Sequence, residues 1–169
     1  MNKLVILGAG GYGCVVKDIA EQLGYETIVV LDDNISEHPL ASFVDFLGES
    51  IEFIPAFGNN EFRMEWIRRI KEAGGQLATL IHPTAYVSPK AFVTPGTVVL
   101  PHAIINTDVV IGQGCILNLG AMVDHGCVVE EGVHVCLGAM IKAENRVKAL
   151  SKIEAGEVIE ARIWPVGEK

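Results

Sequence analysis

Two hydrophobic patterns divide the chain near residue 80. In the first eighty residues, short apolar runs at 4–7, 27–31, 53–57 and 76–80 are typical of buried strands. Apolar residues recur at helical spacing in 15–23 and 62–73, and glycines follow both segments. A loop rich in acidic and turn residues extends from Asp32 to about Ser50. The order β-α-β-loop-β-α-β predicts a small parallel α/β sheet, one half of a Rossmann-like fold.

A six-residue repeat begins at Ile81. Every sixth residue is aliphatic through fourteen consecutive positions: Ile81, Val87, Val93, Val99, Ile105, Ile111, Leu117, Val123, Val129, Val135, Ile141, Val147, Ile153 and Ile159. Four residues after each of the first ten stands a small residue, such as Ala85, Cys115 or Cys127. A period of six fits neither a helix nor a single strand, but it is typical of a left-handed parallel β-helix, in which three hexapeptides close one triangular coil.

These patterns predict two domains, 1–80 and 81–169. The aliphatic positions are predicted to point into the β-helix and the small residues to occupy its corners. The rule for small residues fails after Ala139, because Asn145, Ser151 and Glu157 occupy the next corner positions. We therefore expect the last coil and a half, after about residue 144, to be irregular or to act as a polar cap.

Composition excludes several classes of function. The net charge is −8, and the basic residues Arg63, Arg68, Arg69 and Lys71 are predicted to form a solvated helix face, so no nucleic-acid footprint is expected. No segment is apolar and unbroken enough to predict a membrane span. The four cysteines lack CxxC spacing and a secretory context, which indicates reduced thiols in a cytoplasmic protein.

A glycine-rich loop joins the first strand to the first helix. The stretch GAGGYG at 8–13 matches GxGxxG, and Asp32 lies 19 positions after its last glycine. Eighty residues supply only half of a dinucleotide-binding fold, so a nicotinamide-dependent oxidoreductase is disfavoured. We expect the loop to hold a diphosphate and Asp32 or Asp33 to accept hydrogen bonds from a base or ribose. The alternative is that the glycines only form a tight turn.

The histidines offer two kinds of chemistry. His125 and His134 lie where the repeat is most regular, and neither occupies an inward aliphatic position. A histidine outside the β-helix can act as a general base for an amine or hydroxyl that attacks a thioester. His102 with His125 and His134 is a remote candidate for zinc, and no metal is expected.

The chain resembles the bacterial nucleotide-sugar acetyltransferases that include UDP-4-amino-sugar N-acetyltransferases and sialic acid O-acetyltransferases. The matching stretches reach almost to residue 143: GAGGYG, LDD, GNNEFR, LIHPTAYVSPKA and INTDVVIGQGCILNLGAMVDHGCVVEEGVHVCLGA. The resemblance implies a homotrimer, with acetyl-CoA along the β-helix between subunits and a UDP- or CMP-linked sugar on the N-terminal domain.

The resemblance also implies roles for individual residues. It makes His125 the general base. It places the acetyl donor near His134, Gly138 and Ala143. It places the nucleotide sugar near Gly8, Gly10, Gly11, Tyr12, Asp32, Asp33, Gly58 and Asn59.

The chain departs from the family pattern beside the general base. Family members usually carry Glu or Asp directly after this histidine, where the present chain has Gly126. Asp124 precedes His125, although consecutive side chains of a strand point to opposite faces. The acetyltransferase is the function that the resemblance implies. The alternative is a non-catalytic trimer that binds a nucleotide sugar as a scaffold and no longer binds acetyl-CoA.

Overall fold

The structure is a computed structural model that describes residues 3–35 and 37–167. The chain divides into two compact units, Met1–Leu80 and Ile81–Lys169. Among the residues described, no helix has the length and apolar character needed to cross a bilayer.

The first unit is a four-stranded parallel sheet with two α-helices. Its strands are β1 (Lys3–Leu7), β2 (Thr27–Leu31), β3 (Ile51–Pro55) and β4 (Gln76–Leu77), in the order β2-β1-β3-β4. Its helices are α1 (Gly11–Gln22) and α2 (Asn60–Glu72). The strand β1 is central, and its last four residues are fully buried, which explains the unbroken apolar run in the sequence.

Part of the predicted acidic loop belongs to the core of this unit. A 3-10 helix, Leu40–Phe46, buries Leu40 and Phe43. The Phe43 ring meets Phe53 and Trp66 edge to face, with ring centroids 6.3 and 5.8 Å away. The aromatic residues of the chain are therefore concentrated in the first unit, where there is space for rings.

The second unit consists of two-residue strands at six-residue intervals. They are β5 (Leu80–Ile81), β6 (Tyr86–Val87), β7 (Phe92–Val93), β8 (Val98–Val99), β9 (Ile104–Ile105), β10 (Val110–Ile111), β11 (Ile116–Leu117), β12 (Met122–Val123), β13 (Val128–Val129), β14 (His134–Val135), β15 (Met140–Ile141), β16 (Arg146–Val147), β17 (Lys152–Ile153) and β18 (Val158–Ile159). Strands three apart pair in parallel, which gives the sheets β16-β13-β10-β7, β17-β14-β11-β8-β5 and β18-β15-β12-β9-β6. The architecture is the predicted left-handed β-helix.

The turns explain why the period is six. Every sixth residue from Gly96 to Arg162 has a positive φ, so each hexapeptide contributes one two-residue strand and one turn. Glycine occupies seven of these twelve positions, as expected for the left-handed region. The repeated aliphatic residues point inward and form one continuous core from Val99 to Ile159.

The expectation of irregular structure after about residue 144 is wrong. The strands β16, β17 and β18 pair in register with the coil before them. At the first corner without a small residue, Asn145 is fully buried, and its amide donates to the carbonyls of Lys142 (2.8 Å) and Glu160 (2.9 Å). Its Oδ1 accepts from the Trp164 amide at 2.8 Å. These hydrogen bonds stabilise a corner that a small residue fills elsewhere.

Candidate functional site

The glycine loop follows β1, at the carboxyl edge of the sheet. Gly8 has φ +114°, and a Cβ there would stand 2.9 Å from the carbonyl oxygen of Ala56. A Cβ on Gly13 would stand 2.1 Å from the Gly8 carbonyl oxygen. These two glycines are therefore required by the fold itself, because the loop, the helix and β3 approach closely.

Gly10 and Gly11 have no such packing reason. A Cβ at either position would meet no atom within 4 Å. Gly10 is the N-cap of α1 and supplies no side-chain hydrogen bond, and the first turn of the helix has no acidic residue. The open space therefore lies beside the N-terminus of α1, whose free amides and dipole attract anions.

Asp32 ties this loop to the end of β2. Its Oδ2 accepts from the Ala9 amide at 2.8 Å, and its Oδ1 accepts from the amide and the side chain of Asn34 at 2.9 and 2.8 Å. The hydrogen bond from Ala9, followed by those from Asn34, lowers the pKa of Asp32. Asp33 accepts from the Leu40 amide at 2.9 Å. Both predicted ligand acceptors thus also hold the loops around the sheet edge.

Gly58 and Asn59 follow β3 at the same edge. Asn59 caps α2, because its Oδ1 accepts from the Phe62 amide at 2.8 Å. A Cβ on Gly58 would meet no atom within 4 Å. Like Gly10 and Gly11, Gly58 leaves open space at the carboxyl end of the sheet.

Arg63 is a buried charged residue on the helix that follows Gly58 and Asn59. It was predicted on a solvated helix face, and this is wrong: the residue is 1% exposed. Its guanidinium donates to the Phe57 carbonyl and to Asn60 Oδ1, both at 2.8 Å. The signal was present in the sequence, since Arg63 shares the buried face of α2 with Ile67 and Ile70 at helical spacing.

Tyr12 lies close to this arginine. Its hydroxyl is buried and has no hydrogen-bond partner among the described residues. Burial raises the pKa of Tyr12, and the charge of Arg63 opposes that shift. A buried hydroxyl with unused hydrogen-bonding capacity costs stability.

In the second unit, His125 follows β12 at a corner of the β-helix. The Asp124 carboxylate lies beside it: Oδ1 is 3.0 Å from His125 Nδ1 and accepts from the His125 amide at 2.7 Å. Asn106, one coil earlier, donates its Nδ2 to the same oxygen at 3.0 Å. The His125 amide, then its side chain and Asn106, lower the pKa of Asp124.

The contact with Asp124 determines which nitrogen of His125 is free. An ionised carboxylate can only accept, so it favours the tautomer with hydrogen on Nδ1 and leaves the Nε2 lone pair available. The His125 side chain is 52% exposed, so this nitrogen is within reach of a ligand. Asp124 can therefore supply the contact that Gly126 cannot make.

The predicted donor residues lie elsewhere on the β-helix. His134 is in β14, and its Nε2 lies 3.1 Å from Asn118 Nδ2. The His125 corner separates the sheets of β12 and β13, and the sheet of β14 forms the opposite side of the triangular prism. The structure therefore does not bring His125 and His134 together within one chain.

Gly138 and Ala143 occupy turns of the next coil. The Gly138 amide donates to the Leu119 carbonyl at 2.9 Å, and a Cβ on Gly138 would meet no atom within 4 Å. The Ala143 carbonyl accepts from the Arg162 amide at 3.2 Å. No group of three His, Cys, Asp or Glu side chains is placed for a metal ion anywhere in 3–35 and 37–167.

A small pocket lies next to Asp124. Its volume is about 200 Å³, and its lining includes Asn106, Asp124 and Lys142 together with the outward side chains of Ile104 and Met140. The pocket therefore combines an apolar wall with polar groups beside the exposed histidine.

Both units of the chain are similar to known proteins. Residues 3–70 match the PglD N-terminal domain family. The chain is similar to the acetyltransferase domain of PglB from Neisseria gonorrhoeae, solved in complex with acetyl coenzyme A: identity is 34%, the TM-score is 0.88, and the match covers 96% of this chain and 84% of that one.

Two more distant structures share the fold. A mutant of perosamine N-acetyltransferase from Caulobacter crescentus, in complex with CoA and GDP-perosamine, is 24% identical with a TM-score of 0.82, over 98% of this chain and 92% of that one. WeeI from Acinetobacter baumannii is 19% identical with a TM-score of 0.81, over 95% of this chain and 81% of that one.

Proposed function

Because the chain belongs to the family of bacterial nucleotide-sugar acetyltransferases, we propose that it transfers an acetyl group from acetyl-CoA to an amino or hydroxyl group of a nucleotide-activated sugar. The observation that carries this proposal is the exposed His125 imidazole with the Asp124 carboxylate 3.0 Å from its Nδ1. Such a pair is suited to remove a proton from a nucleophile.

The reaction needs no covalent intermediate on the protein. The amine or hydroxyl of the sugar forms a bond to the thioester carbonyl carbon while Nε2 of His125 accepts its proton. The carbon–sulfur bond then breaks, and the imidazolium returns the proton to the departing thiolate. Asp124 holds the ring and stabilises the imidazolium until the proton is returned to the thiolate.

The first unit is proposed to bind the nucleotide sugar, as a UDP- or CMP-linked compound. The open space at Gly10 and Gly11 beside the N-terminus of α1 suits the diphosphate or phosphate. Gly58 offers similar space after β3. Tyr12, Asp32, Asp33 and Asn59 are proposed to line this site and to hold its loops.

The second unit is proposed to bind acetyl-CoA at His134, Gly138 and Ala143. A donor that contacts both His125 and His134 would have to lie between two chains, because these residues lie on opposite sides of one prism. Outward apolar side chains at Tyr86, Ile104 and Val158 offer a surface for such an assembly. We therefore propose that donor sites lie between subunits, in the homotrimer that the resemblance implies.

Incubation of the protein with acetyl-CoA and a panel of UDP- and CMP-linked amino sugars tests the proposal. We expect mass spectrometry to detect one acetylated nucleotide sugar, together with release of free CoA thiol. The contrary result is calorimetric binding of a nucleotide sugar without acetyl-CoA binding or transfer. That outcome would identify the protein as the non-catalytic scaffold.

A further inference from the structure

Glu144 stands directly above Gly126, one coil further along the chain. Its backbone amide donates to the carbonyl of His125 at 3.0 Å. A Cβ on Gly126 would contact Cγ of Glu144 at 3.4 Å. The Glu144 side chain therefore covers the turn that carries His125, beside the position where Gly126 has no side chain.

These residues belong to one column of turn positions. Asp108, Gly126, Glu144 and Arg162 are spaced by one coil, and all have φ between 57° and 65°. The amide of Gly126 donates to the Thr107 carbonyl at 3.1 Å, which joins the coil below. Corresponding turns of successive coils thus stack on each other, and their side chains project from the same corner as His125.

Arg162 fixes the Glu144 carboxylate. Its Nε donates to Glu144 Oε2, and its backbone amide donates to the Ala143 carbonyl. The pair with Arg162 lowers the pKa of Glu144, and the charge of His125 lowers it further.

We infer that Glu144 is a positioning residue for the general base: it supplies, from the next coil, a second carboxylate at the corner that carries His125. This inference rests on the proposed function of His125. Asp124 contacts the ring directly, whereas Glu144 acts through space and through its cover of the Gly126 turn. Arg162 holds Glu144 in place and offsets part of its charge.

The charged groups around this histidine have defined positions. Asp124 lies on its own coil, Asp108 on the coil below, and Glu144 with Arg162 on the two coils above. Lys142 lines the pocket with Asp124, but it is paired with Glu160 at 2.7 Å. We therefore expect removal of the Glu144 charge and removal of the Arg162 charge to have opposite effects on the protonation of His125.

The test is an NMR titration of the His125 imidazole in the full-length protein, assigned by the signal that disappears in His125→Ala. We expect Glu144→Gln to move the titration midpoint to lower pH and Arg162→Gln to move it to higher pH. Glu130→Gln is the matched control, because it breaks a similar pair between coils, with Arg146 at 2.8 Å. Its midpoint should match the wild type.

The same variants are then compared in acetyl transfer. In Glu144→Gln the acidic limb of the pH profile of kcat/KM should move to lower pH, and the plateau of that profile should fall several-fold. The KM for the nucleotide sugar should be unchanged. The double variant Gly126→Glu/Glu144→Gly returns a carboxylate to this corner. We expect it to restore the acidic limb of the pH profile to its wild-type position. Side chains are tolerated in this column, as Asp108 shows with φ 57°.

Two results would overturn the inference. One is a midpoint in Glu144→Gln that coincides with the wild type. The other is an equal shift in Glu130→Gln, which would indicate a general effect on the β-helix. The NMR titration needs no substrate, so it distinguishes failure of this inference from failure of the proposed acetyl transfer.

Discussion

The Asp124 carboxylate and the His125 imidazole are adjacent in sequence and in direct contact, with 3.0 Å between Oδ1 and Nδ1. The contact arises because β12 ends at Val123, so both residues follow the strand and their side chains need not point to opposite faces. The same oxygen also accepts from the His125 backbone amide. Asp124 thereby holds the backbone and the ring of His125 together.

Asp124→Asn should impair transfer without unfolding the protein. The neutral amide can donate to Nδ1 and so favour the wrong tautomer, and it no longer stabilises an imidazolium. We expect kcat/KM to fall about 10- to 100-fold, with an unchanged KM for the nucleotide sugar. Asp18→Asn, on the exposed surface of α1, is the control. Equal steady-state constants for both variants would contradict this role.

The glycines of the loop should separate into two groups. Gly13→Ala places a Cβ 2.1 Å from the Gly8 carbonyl, and we expect it to lower the free energy of unfolding by about 2–3 kcal/mol. Gly11→Ala has open space in the free protein and should keep its melting temperature. It should nevertheless weaken nucleotide-sugar binding at least about tenfold, because the methyl group occupies ligand space.

Calorimetry and thermal unfolding of both glycine variants check this prediction. Full nucleotide-sugar affinity in a folded Gly11→Ala variant would show that the loop is only a tight turn.

Asn145→Ala should destabilise the β-helix. The change leaves the amide of Trp164 and the carbonyls of Lys142 and Glu160 without their side-chain partner inside the last coils. We expect a loss of about 2–3 kcal/mol in denaturant unfolding. Glu160→Ala, which breaks the exposed pair with Lys142, should cost less than about 1 kcal/mol. Equal losses would refute the structural role of Asn145.

Asp32→Asn should have an effect that depends on pH. Hydrogen bonds from Ala9 and Asn34 hold the pKa of Asp32 in the folded state below its value in the unfolded state. Its contribution to stability is therefore present above the unfolded pKa and is lost as pH falls through the folded pKa. The melting temperatures of wild type and Asp32→Asn should differ at neutral pH and converge in acid. A constant difference would contradict the assignment.

Much of the fold could be predicted from the sequence because its signals are local. The inward side chains at every sixth position from Ile81 to Ile159 require no knowledge of distant contacts. Asn145 did not fit the pattern because its burial depends on carbonyls from another coil and on the Trp164 amide. Local periodicity does not report such hydrogen bonds.

The candidate site residues could be named from the sequence, but the contacts among them could not. His125 and the glycine loop follow from motif and resemblance. The contact with Asp124 depends on where the strand ends, and the position of Glu144 depends on the stacking of coils. Arg63 was misread because a charged residue on a helix is usually solvated, whereas here carbonyl and amide oxygens receive its guanidinium.

Acetyl transfer by His125→Ala tests most directly whether His125 is the general base. His38→Ala, in an exposed loop, is the control. We expect His125→Ala to lose at least about 100-fold in kcat, while its oligomeric state and nucleotide-sugar affinity match those of the wild type. His38→Ala should retain full activity. Turnover by His125→Ala within a few-fold of the wild type would show that His125 is not the general base.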